Sequence, residues 1–273
     1  VDQGWQLWHQ SGRERSAVAT VLPNLLATAQ ATTRGLSGTE RRQASAQLAR
    51  TYHLVQLFVA FQPSAELVWL SADRARAAAE AADDPTALAA ASWYYAHVYR
   101  AAGQLDAAEQ VAAETLSLLN PDRDRERVLW GKLQLALALT HSKAGREGPA
   151  WRCWDQAAAA ADSFGAAYTH PWLMFGRPEV DAYSVTINTD LCRAGVAARA
   201  GEQYELDRLP SRTRRASLLI DLARAHHQKR EHTAVIHALG WALQESVETI
   251  RHNGFARMVS LELMDRPGRV ARD

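Results

Sequence analysis

The chain is cut into helix-length pieces by turn signals that recur along its whole length. Gly35–Gly38, Gln62–Pro63, Asp83–Pro85, Gly103, Asn120–Pro121, Gly145, Gly165, Gly176–Pro178, Pro210 and Gly254 mark the breaks. Between them lie segments of roughly ten to twenty residues rich in Ala, Leu, Arg, Glu and Gln, strong helix formers in runs of ordinary helix length. Val, Ile and Thr do not alternate with polar residues, so strand signals are nearly absent. The punctuation predicts an all-α chain of antiparallel helices. Pairs of such short helices cannot bury their apolar faces alone and must stack on one another.

The stretch SWYYAHVYRAAGQLDAAEQVAAETLSLLNPD shows one unit in full. Leu88–Ala102 is apolar around much of its circumference. Gly103 can take the left-handed conformation that caps a helix. Leu105–Leu118 forms a second helix, with Ala108 and Ala112 small enough for close approach, and Asn120-Pro121 stops it. The small Ala96, aromatic Tyr99, turn Gly103 and small Ala108 resemble a tetratricopeptide repeat. Ala138, His141, Gly145, Ala150 and Ala157 repeat the pattern. Arg41–Ala82, Pro178–Tyr204 and Arg212–Gln244 are more degenerate, with Phe58, Cys192, and Ala223 and His226 at the marked positions. The resemblance implies a tetratricopeptide-repeat-like α-solenoid, a right-handed superhelix of antiparallel helix pairs spanning 1–273 as one domain. An N-terminal helix pair (1–39, Trp5–Thr32), about five degenerate repeats (40–246), and a closing helix with a tail (247–273) are expected.

A wider resemblance covers nearly the whole chain. "VWLSADRARAAAEAADDPTALAAASWYYAHVYRAAGQLDAA", "FGRPEV" and "LPSRTRRASLLIDLARAHHQ" are similar to the C-terminal part of bacterial transcription regulators with an N-terminal Cro/repressor-type (XRE) helix-turn-helix, related in layout to the RRNPP peptide-pheromone receptors. The resemblance implies a cytoplasmic sensing and dimerisation domain that binds a peptide or small-molecule effector. It would meet DNA only through an N-terminal domain not present in this chain. The alternative from another class is a scaffold that holds a protein segment with no small effector.

Composition narrows the classes. With 273 residues and 47% hydrophobic content the chain can bury a sizeable core. A net charge of +1 argues against a stand-alone nucleic-acid binder. Two cysteines, Cys153 and Cys192, give no disulfide framework and fit a reducing cytoplasm. No apolar run reaches the length of a membrane span. Only Lys132, Lys143 and Lys229 among 31 basic residues are lysines, which suggests a GC-rich bacterial genome. No hydrolase signature, phosphate-binding glycine loop or zinc motif occurs, so neither an enzyme nor a cofactor is expected.

In a tetratricopeptide repeat the first helix of each pair faces inward. The resemblance therefore implies a concave groove lined by Tyr52, Gln56, Trp93, His97, Arg100, Lys132, Leu135, Ser142, Lys143, Glu179, Thr186, Asp190, Ser217, Arg224, His227 and Gln228. Arg100, Lys132, Lys143 and Arg224 outnumber Glu179 and Asp190, so an anionic ligand is expected there, with Trp93 and Tyr52 as stacking surface. His53, His97 and His141 are spaced 44 apart while the turns are spaced 41 and 42, so the histidines drift around their helices and should not share a face. Trp151 and Trp154 read as core. Trp172-Leu173-Met174-Phe175 either plugs the core or roofs the groove. The run Arg212–Arg215 reads as a solvated face. A homodimer through Val247–Met264, with Phe255, Met258 and Leu261 exposed, is expected by analogy with two-fold operators.

Overall fold

The computed structural model describes residues 1–60, 62 and 64–264; Phe61, Pro63 and the tail after Met264 lie outside them. Three helices come first: α1 (Asp2–Gln10), α2 (Glu14–Ala19) and α3 (Leu22–Gly35). Five antiparallel pairs follow: α4 (Gly38–Val59) with α5 (Ala65–Ala82), α6 (Pro85–Ala101) with α7 (Leu105–Leu116), α8 (Asp124–Lys143) with α9 (Glu147–Asp162), α10 (Arg177–Asp190) with α11 (Ala194–Glu202), and α12 (Arg212–Gln228) with α13 (His232–Glu245). The described chain closes with α14 (Val247–His252) and α15 (Gly254–Met264) and contains no strand. The architecture is a tetratricopeptide-repeat-like α-solenoid.

One hydrogen-bonding device makes four of the five pair turns. The amide of Gln104 donates to the Tyr99 carbonyl, Arg146 to His141, Arg193 to Asn188 and Glu231 to His226. Each bond spans five residues and closes over a left-handed residue, the Schellman arrangement that satisfies the last carbonyls of a helix. Gly103 (φ 76°) and Gly145 (φ 72°) supply that residue in two turns; Cys192 (φ 59°) and Arg230 (φ 63°) supply it in the later two, at the cost of a crowded Cβ. The second helices then approach closely because their inward positions are alanines: Ala75 and Ala79, Ala108 and Ala112, Ala150 and Ala157, Ala197, and Ala238 and Ala242 are all buried. Asp84 accepts from the Thr86 amide to cap α6, as an acid before a proline-led helix should.

Three local expectations are corrected. The N-terminal region is three helices, not one pair, because the chain turns at Ser11–Arg13 and again at Val21, ahead of Pro23 in the first turn of α3. The closing helix is broken at Asn253, whose side chain leaves α14 and caps Ala256 at the start of α15. The run Arg212–Arg215 is not a solvated face. Arg212 donates to the carbonyls of Gln244 and Glu245, Arg215 pairs with Glu245 at 2.9 Å, and Arg214 turns inward onto Glu179 at 3.4 Å.

The connector before α10 plugs the core. Leu173, Met174 and Phe175 are buried, and the tip of the Phe175 ring meets α8 where Gly131 has no side chain. Trp172 instead reaches between α1, α4 and α6, with ring centroids 5.1 Å from Trp5 and 6.3 Å from His53.

Candidate functional site

The first helices α6, α8, α10 and α12 present a continuous row of polar and aromatic side chains along the inner face. Trp93 sits edge-on to His97 (4.6 Å) and beneath the Lys132 ammonium (4.1 Å). Lys132 Nζ donates to Glu179 Oε2 at 2.5 Å, and Arg214 shares the other oxygen of Glu179 while lying 4.3 Å over the Tyr183 ring. Arg100 donates to His97 Nδ1, the Ala136 carbonyl and Thr140. Farther along, Arg224 pairs with Asp190 (2.6 Å) and Asp221 (2.9 Å), and Thr186 donates to Asp221. Burial lowers Arg100 to about 10 and, against the pull of Glu179, Lys132 to about 8.

This geometry corrects the expected open cationic groove. Of the four cations counted, Lys132 and Arg224 are neutralised by carboxylates, Arg100 is spent on chain carbonyl, hydroxyl and imidazole groups, and Lys143 donates to the Arg100 carbonyl from an exposed position. Trp93, Gln56 and Leu135 are buried packing residues, and Gln56 donates to the Tyr94 carbonyl between α4 and α6. Tyr52 accepts from Gln30, so it faces α3 rather than the inner side. Ser142 and Ser217 bond back to the Leu139 and Thr213 carbonyls of their own helices. His227 bonds Glu262 and packs on Phe255, and Gln228 donates to the Thr189 carbonyl. Phe255 is therefore half-buried, not exposed, while Met258 and Leu261 are 54% and 65% exposed.

The inner face is also crossed by the chain's own N-terminus. Trp5 of α1 packs on Tyr94 of α6 (6.2 Å). His9 donates through Nε2 to the Trp172 carbonyl, which fixes its tautomer and leaves Nδ1 to accept from Ser211 at the start of α12. Glu14 of α2 is fully buried and accepts from Ser246, Thr249 and Arg15, while Glu248 of α14 accepts from the amides of Arg15 and Ser16. The first helices thus tie the beginning of the solenoid to its last pair.

A cleft of about 470 Å³ lies where α4, the first turns of α6 and α8, and the connector meet. Its size falls within the usual range for small-ligand sites. Ala46, Ala49, Ala87 and Ala90 leave the room, and Phe164, Tyr168 and Trp172 form aromatic walls. Arg50 and His53, three residues apart on α4, both line it. His53 is 1% exposed, and neither ring nitrogen has a hydrogen-bond partner within the protein; the Arg50 Nε–H has none either. Burial, reinforced by Arg50, pushes His53 down to about 3, so its ring is neutral. Sequence reasoning weighed His53 only as a rung in a histidine ladder and passed over Arg50. In the fold His97 bonds Arg100 and His141 faces Glu109, so the three histidines serve separate neighbourhoods. Among the described residues no group of three His, Cys, Asp or Glu side chains could hold a metal ion, and no helix is long and apolar enough to cross a membrane.

No family model matches the chain, and no curated protein matches it in sequence. Among solved structures, BtubC (BKLC) from P. vanneervenii superposes with a TM-score of 0.53 at 12% identity, over 82% of this chain and 90% of that one. A putative kinesin light chain with nearly identical TPR-like repeats from Podosopora anserina covers 79% of this chain and 99% of its own, at 18% identity and a TM-score of 0.43. The likeness to the first is one of fold.

Proposed function

We propose that this chain is a recognition module rather than a catalyst, and that its ligand enters the cleft between α4, α6, α8 and the connector. The observation that carries the reading is the cleft itself: about 470 Å³ walled by Phe164, Tyr168 and Trp172, with Arg50 and His53 in its lining, while Lys132 and Arg224 of the inner face are already paired with carboxylates. A space of this size fits a small molecule or the end of a peptide. The resemblance to regulators with a separate DNA-binding domain supports a sensing and dimerisation role in a cytoplasmic bacterial transcription regulator. Ligand binding between α4 and the Trp172 connector would then change how firmly α1 is held.

The experiment is a thermal-shift screen of carboxylic acids, neutral metabolites and short peptides, repeated on Ala46→Phe, which fills the cleft from its edge. A ligand that binds only the folded form adds about 2.7 kcal/mol at a hundredfold excess over Kd. Hits that stabilise the parent and not the variant uphold the reading. Hits that act equally on both place the site elsewhere and overturn it.

A scaffolding role is the second reading. Trp241, Leu243, Met258, Leu261 and Met264 are exposed on the last helices, an apolar surface suited to another protein or a second copy of the chain. If it joins two copies, Leu261→Asp converts a dimer to a monomer in light scattering; a parent that is monomeric at micromolar concentration removes the dimer.

A further inference from the structure

We infer that the cleft selects small aromatic carboxylates, the ring lying against Tyr168 and Trp172 and the carboxylate meeting Arg50 and His53. The inference rests on the cleft being the binding site, and adds what it takes.

Three features set the chemistry. The deep polar atoms without protein partners are a guanidinium Nε–H, which can only donate, and a neutral imidazole, which offers one N–H. Two donors served by one helix face suit an acceptor with two oxygens, and arginine suits a carboxylate in particular. The walls are flat: Phe164 and Tyr168 stack at 4.8 Å, and Trp172 carries Arg50 over its face at 4.9 Å. Ala46, Ala49, Ala87 and Ala90 add small apolar surface between those walls.

The charges around the opening are paired among themselves, so the unpartnered N–H groups rather than net charge set the preference. The acids that line the cleft are already engaged: Asp84 accepts from the Thr86 amide and hydroxyl, and Asp124 pairs with Arg127. Arg125 reaches Asp84 from an exposed position at 3.6 Å. Arg50 is held at its outer nitrogens by Asp2 (2.7 Å) and Gln47 (3.1 Å), which aim the guanidinium without using Nε. The first turns of α6 and α8 add the positive ends of two long helices.

The test is titration calorimetry of the full chain with 2-naphthoate, against uncharged 2-naphthylmethanol. Arg50→Met and His53→Phe should each weaken 2-naphthoate by about tenfold or more, as loss of a charge-assisted hydrogen bond does. Asp2→Asn removes the ion pair that ties Arg50 to α1 but leaves the guanidinium, and should hold or tighten binding; this separates recognition by Arg50 from any loosening of α1. Ala46→Phe should abolish it. Equal affinity for the acid and the alcohol, or an unchanged affinity in Arg50→Met, overturns carboxylate selection while leaving the cleft as the site. No 2-naphthoate binding at millimolar concentration overturns the inference alone if the screen has given other hits sensitive to Ala46→Phe. Binding insensitive to Ala46→Phe overturns both.

Discussion

Lys132 and Glu179 face each other across α8 and α10 with 2.5 Å between Nζ and Oε2, and each side chain is only 2% exposed. A buried ion pair gains little over a well-packed apolar pair, but breaking one side is costly because the other charge is stranded. The sides are unequal here, since Arg214 also reaches Glu179. Glu179→Gln leaves the buried Lys132 and the half-buried Arg214 around a neutral amide and should destabilise by about 3–5 kcal/mol. Lys132→Met leaves Glu179 paired with Arg214 and keeps an apolar stem over Trp93, so its cost should be clearly smaller. Urea unfolding of the two variants checks the order; a milder Glu179→Gln contradicts it.

Gly131 and Phe175 form a second obligate pair. A Cβ on residue 131 would stand 2.2 Å from Phe175 Cζ. Gly131→Ala should therefore cost about 1–3 kcal/mol or more through overpacking, even though alanine is the better helix former. Phe175→Leu should recover part of that loss in the double variant. Additive costs in a double-mutant cycle would show that the contact does not couple them.

Acid should weaken the fold before it reaches the carboxylates. Burial holds His9 and His170 at about 4 and His53 at about 3, against 6.5 for a free histidine. Below pH 6.5 the unfolded chain binds protons that the folded chain refuses until pH 3–4. Stability is therefore full above 6.5 and falls as pH drops through this window. At pH 5 the loss is on the order of 2 kcal/mol for each such group. Denaturation midpoints at pH 7.5 and 5 measure it, and His53→Phe should flatten the slope. An identical slope in that variant would remove His53 from the effect.

Glu14 fastens α2 to α14 from a fully buried position. Glu14→Ala should speed hydrogen exchange in α1, α2 and α14 while α6–α9 stay protected, because the cost falls on a local opening rather than on the repeat cores. Exchange that rises uniformly along the chain would mean that the N-terminal helices are integral to global folding.

The helix pairs and their turns are legible in the sequence because their causes are local. Gly103 and Gly145 supply left-handed caps, Pro85 and Pro178 open helices, and the alanines at Ala108 and Ala150 mark where helices touch. The same local code made Cys192 recognisable as a turn without a glycine. The inner face was legible only in part. A repeat register puts residues such as Trp93 and Lys132 on the inner side, but says nothing of what they meet there. Glu179 neutralises Lys132 from 47 residues away, and Trp5, His9 and Trp172 close the face from distant segments with no repeat pattern of their own. The cleft forms where one of those segments, the connector carrying Trp172, meets α4. Arg50 and His53 became its polar lining because α4, with α3 against its Tyr52 side, presents a different edge inward than the repeat register indicates. Local propensity determined the elements; long-range packing, which leaves no periodic trace in a single sequence, decided which polar atoms were left without a partner.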